Sequence, residues 1–301
     1  MVGKWDDLRL YVVLFMGVVA VSFGAILVRL AEAPSLVTAT YRLAIASLIV
    51  APVGLLRSHR ELRALSRRDL VWAVVSGLFL TLHFVFWIAS LDYTTVASSV
   101  VFVSTSPIFV GVASHFLTQD RLSATMAGGI LLALLGGLVI AWNDLVVGGL
   151  AWRGDLLAIV GAAMVGGYFM AGRRLRPRMS LLAYVTLVYS VAALGALLLS
   201  GLTQQRLTGY PPQTWLMFLL LAAGPQIIGH SSLNWALRHL PAAAVGVVTV
   251  GEPVGSTVLA LFLLSEVPGP LKLAGGALIL TGIYLALQER AVQRTAQVGS
   301  Q

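Results

Sequence analysis

A histidine and a tryptophan share one face of a predicted helix in the first third of the chain. That face carries polar and aromatic side chains at steps of seven, four and three positions: Ser76, His83, Trp87 and Ser90. Residues at these steps lie above one another on an α-helix. Because the neighbouring residues are apolar, the polar groups must point at protein or at a cavity. There they either bind a ligand or hold two helices together.

A second stretch, in the last third of the chain, repeats this pattern with closer spacing. Its polar residues stand four apart and a tryptophan follows them: Gln226, His230, Asn234 and Trp235. Pro225 comes just before and frees backbone carbonyl groups, which protein groups or cavity water must satisfy. His83 and His230 occupy nearly corresponding places in the two halves of the chain. Bridging of helices and contact with a ligand are both open interpretations for them.

Two charged residues lie well inside apolar stretches. Arg42 is about 12 Å along its predicted helix from the outer end, at a rise of about 1.5 Å per residue. A guanidinium group at that depth needs water, a partner such as Glu32 or Asp92, or an anionic ligand such as a carboxylate. Glu252 is either a neutral, hydrogen-bonded group or a carrier of protons. Because Ser106 stands at the matching place of the first half, we favour the hydrogen-bonded interpretation.

The composition requires a lipid bilayer around these groups. The 301 residues are 58% hydrophobic and 11% charged, with a mean hydropathy of +0.90, which leaves too little polar surface for a soluble globule. The net charge of +8 does not indicate nucleic acid, because no soluble basic face exists. A bilayer-spanning helix takes about 20 apolar residues. Ten stretches qualify: Leu10–Leu30, Pro34–Leu56, Leu70–Ser90, Thr94–Leu117, Leu122–Trp142, Trp152–Gly172, Leu181–Gly201, Gln213–Ala236, Pro241–Leu264 and Pro270–Leu287.

The chain contains one unit twice. A shift of 146 positions lays Val96–Gly136 over Ala242–Gly282 and matches proline with proline and glycine with glycine. The matched pairs include Pro107 with Pro253, Asp120 with Glu266, Gly129 with Gly275, and Gly136 with Gly282. The glycines, seven apart, predict flat helix faces for close packing. We therefore expect a first five-helix repeat at 1–143, a second at 144–288 and a polar cytoplasmic tail at 289–301.

The positive charges predict the orientation. Of the 20 Lys and Arg residues, 15 fall on one side if the ten stretches alternate across the membrane. Because cytoplasmic loops carry the excess of Lys and Arg, both termini are expected inside. With five spans per half, the two repeats then run in opposite directions. The predicted fold is an all-α membrane protein of ten transmembrane helices in two inverted repeats, an arrangement typical of secondary transporters.

The motifs resemble those of the EamA-type drug/metabolite transporters over nearly the whole chain. The matching segments are Ser22-Phe23-Gly24, Tyr41-Arg42-Leu43, Trp87-Ile88-Ala89-Ser90-Leu91, Ser106-Pro107, Gly154-Asp155-Leu156, Gly172-Arg173-Arg174, Asn234-Trp235-Ala236-Leu237 and Glu252-Pro253-Val254-Gly255. The resemblance implies ten helices, inverted halves and export of small metabolites. The aromatic content is similar to that of the YddG-type aromatic amino-acid exporters. Asp120-Arg121 and Ser265-Glu266 depart from the usual Gly-Glu or Leu-Glu of the family.

These observations favour export of neutral aromatic or hydrophobic amino acids across a bacterial inner membrane, with the bilayer and a small molecule as partners. The expected binding residues are His83, Trp87, Gln226, His230, Asn234, Trp235, Tyr168 and Arg42. No catalytic residue, metal ligand or cofactor is expected, because the chain has no cysteine, no His-Glu-x-x-His motif and no nucleotide-binding loop. Export of drugs or nucleotide sugars is the alternative, and an intramembrane enzyme is a more distant one. The sequence leaves a homo-oligomer open.

The orientation can be tested with single cysteines, since the chain has none of its own. We expect cysteines at Ser58 and Arg178 to react with an impermeant maleimide only from the cytoplasm. A cysteine at Thr208 should react only from outside. Labelling of Thr208 and Arg178 from the same side would contradict the inverted repeat.

Overall fold

The computed structural model describes residues 4–118, 124–147, 149–240 and 242–298, and every regular element within them is a helix. One of these, here called π1, is a π-helix. In chain order the elements are α1 (Lys4–Ser22), α2 (Gly24–Ala31), α3 (Ser35–Arg57), α4 (His59–Arg63), α5 (Arg67–Ser90), α6 (Val96–Val103), α7 (Ser106–Thr118), α8 (Ala124–Val147), α9 (Ala151–Leu175), α10 (Leu181–Leu202), α11 (Pro212–Leu221), π1 (Ala222–His230), α12 (Ser231–Ala236), α13 (Ala242–Val248), α14 (Gly251–Leu263) and α15 (Pro270–Val298).

Eight segments of the described chain are long and apolar enough to cross a membrane: Leu8–Ala31, Ser35–Arg57, Arg67–Ser90, Val96–Ala113, Ala151–Leu175, Leu181–Leu202, Pro212–Ala236 and Ala244–Leu263. The two other predicted stretches fall on α8 and α15, whose apolar parts are shorter, at 131–140 and 270–282. Asp120, the predicted counterpart of Glu266, lies outside the described residues.

Four of the long segments are interrupted near their middle. The break between α1 and α2 lies at Phe23, and those between α6 and α7 and between α13 and α14 come just before Pro107 and Pro253. Proline has no backbone N–H and its ring crowds the preceding turn, so it favours a kink or a break in a helix. In the fourth segment Pro225 lies inside π1. Each break frees backbone groups that water cannot reach in a bilayer.

Side-chain hydroxyls bond to carbonyl oxygens at these breaks. Thr249 donates from Oγ1 to the carbonyl oxygen of Gly246 at 2.6 Å, at the end of α13. Ser256 donates from Oγ to the carbonyl oxygen of Ser22 at 2.8 Å, which joins α14 to the break between α1 and α2. One of these bonds is local to its break, and the other joins two segments of the bundle.

The glycines of α8 and α15 bring two backbones into contact, as the repeat predicts. A Cβ atom at Gly136 would lie 2.5 Å from the carbonyl oxygen of Gly275, and one at Gly282 would lie 2.5 Å from that of Gly129. No real Cβ atom approaches a backbone oxygen so closely. The shift of 146 positions relates Gly129 to Gly275 and Gly136 to Gly282, so the two contacts are equivalent in the repeat. The predicted close packing of these glycine faces is confirmed.

Gly136→Ala should therefore destabilise the protein. The new methyl group would overlap backbone atoms of α15, and overpacking of this kind costs roughly 1–3 kcal/mol. Gly128→Ala is the matched control, because it lies on the same helix and a Cβ atom there has no neighbour within 4 Å. Thermal unfolding of the purified protein in detergent would measure the difference. Equal unfolding temperatures would contradict the contact.

Candidate functional site

A cavity lies inside the bundle at the level of the helix breaks. Its volume is about 40 Å³, so it is narrow in this conformation. Each broken segment contributes lining residues next to its break. The polar lining residues are Arg42, His83, Trp87, Ser104, Ser106, His230, Thr249 and Glu252, and the apolar ones are Val21, Phe84, Val103, Val165, Phe169 and Leu233.

Arg42 extends from α3 into this cavity with only 1% of its surface exposed. Its Nε donates to Oε1 of Gln226 at 2.9 Å, and its Cζ lies 3.9 Å from the ring centroid of Phe84. Among the described residues it pairs with neither Glu32 nor Asp92, the partners considered from the sequence. Nη1 is buried without a hydrogen-bond partner in the same part of the chain. The guanidinium group is thus held in place with donors left for a ligand.

His83 and Trp87 form one wall of the cavity. Nδ1 of His83 lies 3.0 Å from the carbonyl oxygen of Gly161, and since a carbonyl can only accept, this nitrogen carries the proton. In the neutral ring Nε2 is then an acceptor. The two rings stack, with centroids 6.0 Å apart and an interplanar angle of 6°. Nε1 of Trp87 is a buried donor with no partner among the described residues.

His230, the last residue of π1, faces His83 across the cavity. The ring centroids lie 6.1 Å apart, and Phe84 packs edge-on to His230 at 5.2 Å. Nδ1 of His230 is buried and has no hydrogen-bond partner in the described chain. The two histidines that occupy similar places in the repeats therefore meet at one site.

Three other expected binding residues lie behind the cavity wall. Gln226, Asn234 and Tyr168 are fully buried, and none of them lines the cavity. Tyr168 donates from its hydroxyl to Oδ1 of Asn234 at 2.8 Å, and Tyr189 donates to the carbonyl oxygen of Gln226 at 3.2 Å. Since Gln226 accepts from Arg42, this layer orients a lining residue rather than touching the cavity itself.

Trp235 lies away from the central cavity. Its ring is 4.6 Å from that of His239 and 5.7 Å from Cζ of Arg9, at a separate surface depression. The aromatic wall is instead completed by Phe84 and Phe169. Phe169 follows Tyr168 in the sequence, so it is the next residue of α9 that lines the cavity.

Glu252 lines the cavity although it was not among the expected binding residues. It is half-buried, and its carboxylate makes no hydrogen bond or ion pair with any described residue. The described chain thus supplies no partner for the hydrogen-bonded interpretation drawn from the sequence, and the role of this residue stays a prediction. Its helix packs tightly on the first break, since a Cβ atom at Gly255 would lie 2.4 Å from Oγ of Ser22. The sequence feature that could have identified Glu252 is a carboxylate inside an apolar stretch, directly before a proline.

A bundle of membrane-length helices that break around a central polar cavity is the architecture of membrane transporters. The EamA-like transporter family matches the chain twice, over residues 8–142 and 152–288. The protein belongs to this family. The resemblance drawn from the motifs is thereby confirmed, and membership indicates a transporter rather than an enzyme.

Two relatives carry the word transporter in their names. An uncharacterized transporter of Archaeoglobus fulgidus is 24% identical over 222 residues, which are 71% of this chain and 75% of the relative. The uncharacterized transporter YetK of Bacillus subtilis is 27% identical over 237 residues, 74% of this chain and 70% of the relative. A solved crystal structure has a similar fold, with a TM-score of 0.65 and 22% identity over 92% of this chain and 97% of that chain.

The buried layer behind the cavity makes a prediction about stability. Tyr168→Phe removes the hydroxyl that donates to Asn234, and leaving a buried polar group unpaired costs about 1–3 kcal/mol. Tyr11→Phe is the control, because the Tyr11 side chain is 69% exposed and surface substitutions usually stay within about 0.5 kcal/mol. Thermal unfolding in detergent compares them. A Tyr168→Phe protein as stable as the control would contradict this role.

Proposed function

We propose that this protein is a secondary transporter that exports neutral amino acids with aromatic or hydrophobic side chains. The observation that carries the proposal is the composition of the cavity wall. Arg42 and Trp87 each offer a donor, and His230 a ring nitrogen, without a protein partner in the described chain, and aromatic rings stand beside them. An amino acid needs such a mixture, since polar groups must hold its charged end and an apolar wall its side chain.

The aromatic wall supports a cargo with a ring or a branched hydrocarbon. Phe84, Trp87 and Phe169 all line the cavity. Aromatic rings prefer offset or edge-to-face contacts with one another, which a cargo with its own ring can make with these side chains. Arg42 already packs over Phe84, so the charged and aromatic parts of the site adjoin.

We place the cavity between two inverted five-helix halves, at residues 1–143 and 144–288, with both termini and the tail at 289–301 in the cytoplasm. In this arrangement α8 and α15 are the fifth and tenth of ten crossings, in a bacterial inner membrane. The exchange of glycine contacts under the shift of 146 positions supports a twofold relation between the halves.

Contacts between the halves at both ends of the bundle support alternating access. At one end Glu266 lies 3.6 Å from Nη2 of Arg29 and accepts from the backbone N–H of Val96 at 2.9 Å. At the other end Glu61 accepts from the backbone N–H of Ser180 at 2.7 Å. Rocking of one half against the other opens one set of contacts at a time.

The energy for export comes from the gradient of the cargo or of an ion, because the chain contains no nucleotide-binding loop. Hydrophobic cations are the second candidate cargo, and the unpaired carboxylate of Glu252 in the cavity favours them. Nucleotide sugars fit less well. Their phosphates call for several cationic groups, and among the described lining residues Arg42 is the one Lys or Arg.

Counterflow of labelled phenylalanine or tryptophan into proteoliposomes tests the function. The wild-type protein should give counterflow without ATP. Trp87→Ala and His230→Ala should lower its initial rate about tenfold, the effect of losing roughly 1.4 kcal/mol of cargo binding. Arg57→Ala should not, because Arg57 is exposed at the end of α3. Movement of a quaternary cation or nucleotide sugar with no amino-acid counterflow would overturn the cargo assignment.

A further inference from the structure

A basic and an acidic side chain face the same cavity from different halves of the chain. Arg42 comes from α3 and Glu252 from α14, and both line the central cavity. They do not form an ion pair, since within the described residues no nitrogen of Arg42 lies within 4 Å of a Glu252 oxygen. Nη1 of Arg42 and the carboxylate of Glu252 also have no other partner there. Charges inside a membrane protein are costly unless something pairs with them.

The surrounding structure positions both groups. Arg42 is tied to Gln226 through Nε and packs over the ring of Phe84, so its guanidinium group has a fixed direction. The backbone near Glu252 is fixed by the packing of Gly255 on Ser22. The cavity therefore presents a basic and an acidic group that are more than 4 Å apart. A ligand that carries both charges can satisfy both groups at once.

We infer that Arg42 and Glu252 form a two-point site for zwitterions, in which the guanidinium group binds a carboxylate and the Glu252 carboxylate binds an ammonium group. This inference rests on the proposed function. It assigns the charged group of the cargo that each of the two residues binds. The charge-assisted bonds involved are the strong ones in proteins, and guanidinium matches carboxylate geometry especially well. The aromatic wall then receives the side chain.

The two-point site predicts that the protein binds zwitterions in preference to molecules with a single charge. A carboxylate without an ammonium group leaves Glu252 unpaired and adds negative charge to a poorly solvated cavity. An amine without a carboxylate leaves Arg42 unpaired in the same way. Rejection of an incomplete ligand is strong because the buried partner of the missing group loses its bond. Because a zwitterion has no net charge, its binding does not change the net charge of the site.

Three compounds with one ring and different charges test the inference: phenylalanine, 3-phenylpropionate, which lacks the ammonium group, and 2-phenylethylamine, which lacks the carboxylate. Each is assayed in proteoliposomes for transport and in detergent for the rise in unfolding temperature that it causes. Phenylalanine should raise the unfolding temperature of the wild-type protein. The other two compounds should need at least tenfold higher concentrations to give the same rise.

Glu252→Gln removes the negative charge and keeps the shape of the side chain. It should lower phenylalanine transport about tenfold or more and raise the binding of 3-phenylpropionate relative to phenylalanine. Arg42→Gln should shift the preference toward 2-phenylethylamine. Glu32→Gln makes the same chemical change on an exposed residue outside the cavity, and it should behave as wild type.

The outcomes separate the inference from the proposed function. If wild-type protein transports phenylalanine and Glu252→Gln keeps the wild-type order of the three compounds, the two-point site is wrong and the amino-acid function stands. If wild-type protein transports 2-phenylethylamine and no amino acid, the proposed function itself is wrong. If the variants fail to fold, the wild-type series decides. Equal stabilisation by phenylalanine and 3-phenylpropionate would overturn the role of Glu252.

Discussion

The structure depends on one constraint, that every backbone N–H and carbonyl group inside a bilayer needs a partner within the protein. Continuous helices meet this condition by themselves, which is why the described chain is helical throughout its apolar length. A break in a helix leaves some of these groups without a helical partner, and the described chain has four such breaks. They are tolerated because they lie together around a cavity, where hydroxyls such as that of Ser256 and polar side chains reach the freed groups. The breaks and the cavity therefore require each other.

The same constraint explains how a guanidinium group can lie fully buried within a membrane span. Arg42 is supported by Gln226, and the backbone carbonyl of Gln226 accepts in turn from Tyr189. Gln226 lies in π1, whose widened turn is caused locally by Pro225. A helix irregularity thus supplies the amide that orients the charge. Loss of any of these groups would leave an unpaired polar atom in a poorly solvated environment.

Composition and the repeat were enough to predict the helical membrane class and the close packing of the glycine faces, and the resemblance of the motifs to those of a known family predicted the family. The site was predictable only in part. His83, Trp87, Arg42 and His230 line the cavity, whereas Gln226 and Asn234 lie behind it although they share the four-residue spacing of His230. That spacing marks one face of an α-helix. It does not do so through π1, where hydrogen bonds run to the fifth residue along and each turn takes more residues.

The repeat says little about the chemistry of Glu252, because the two halves differ at this position. Ser106 occupies the matching place of the first half, and Val188 stands 146 positions after Arg42. The cavity thus receives its basic side chain from one half and its acidic side chain from the other. A duplicated scaffold can enclose a site that is not symmetric, because single side chains differ where the backbone repeats. In the transporter that we propose, the positions where the two copies differ at the cavity determine which way round a cargo binds.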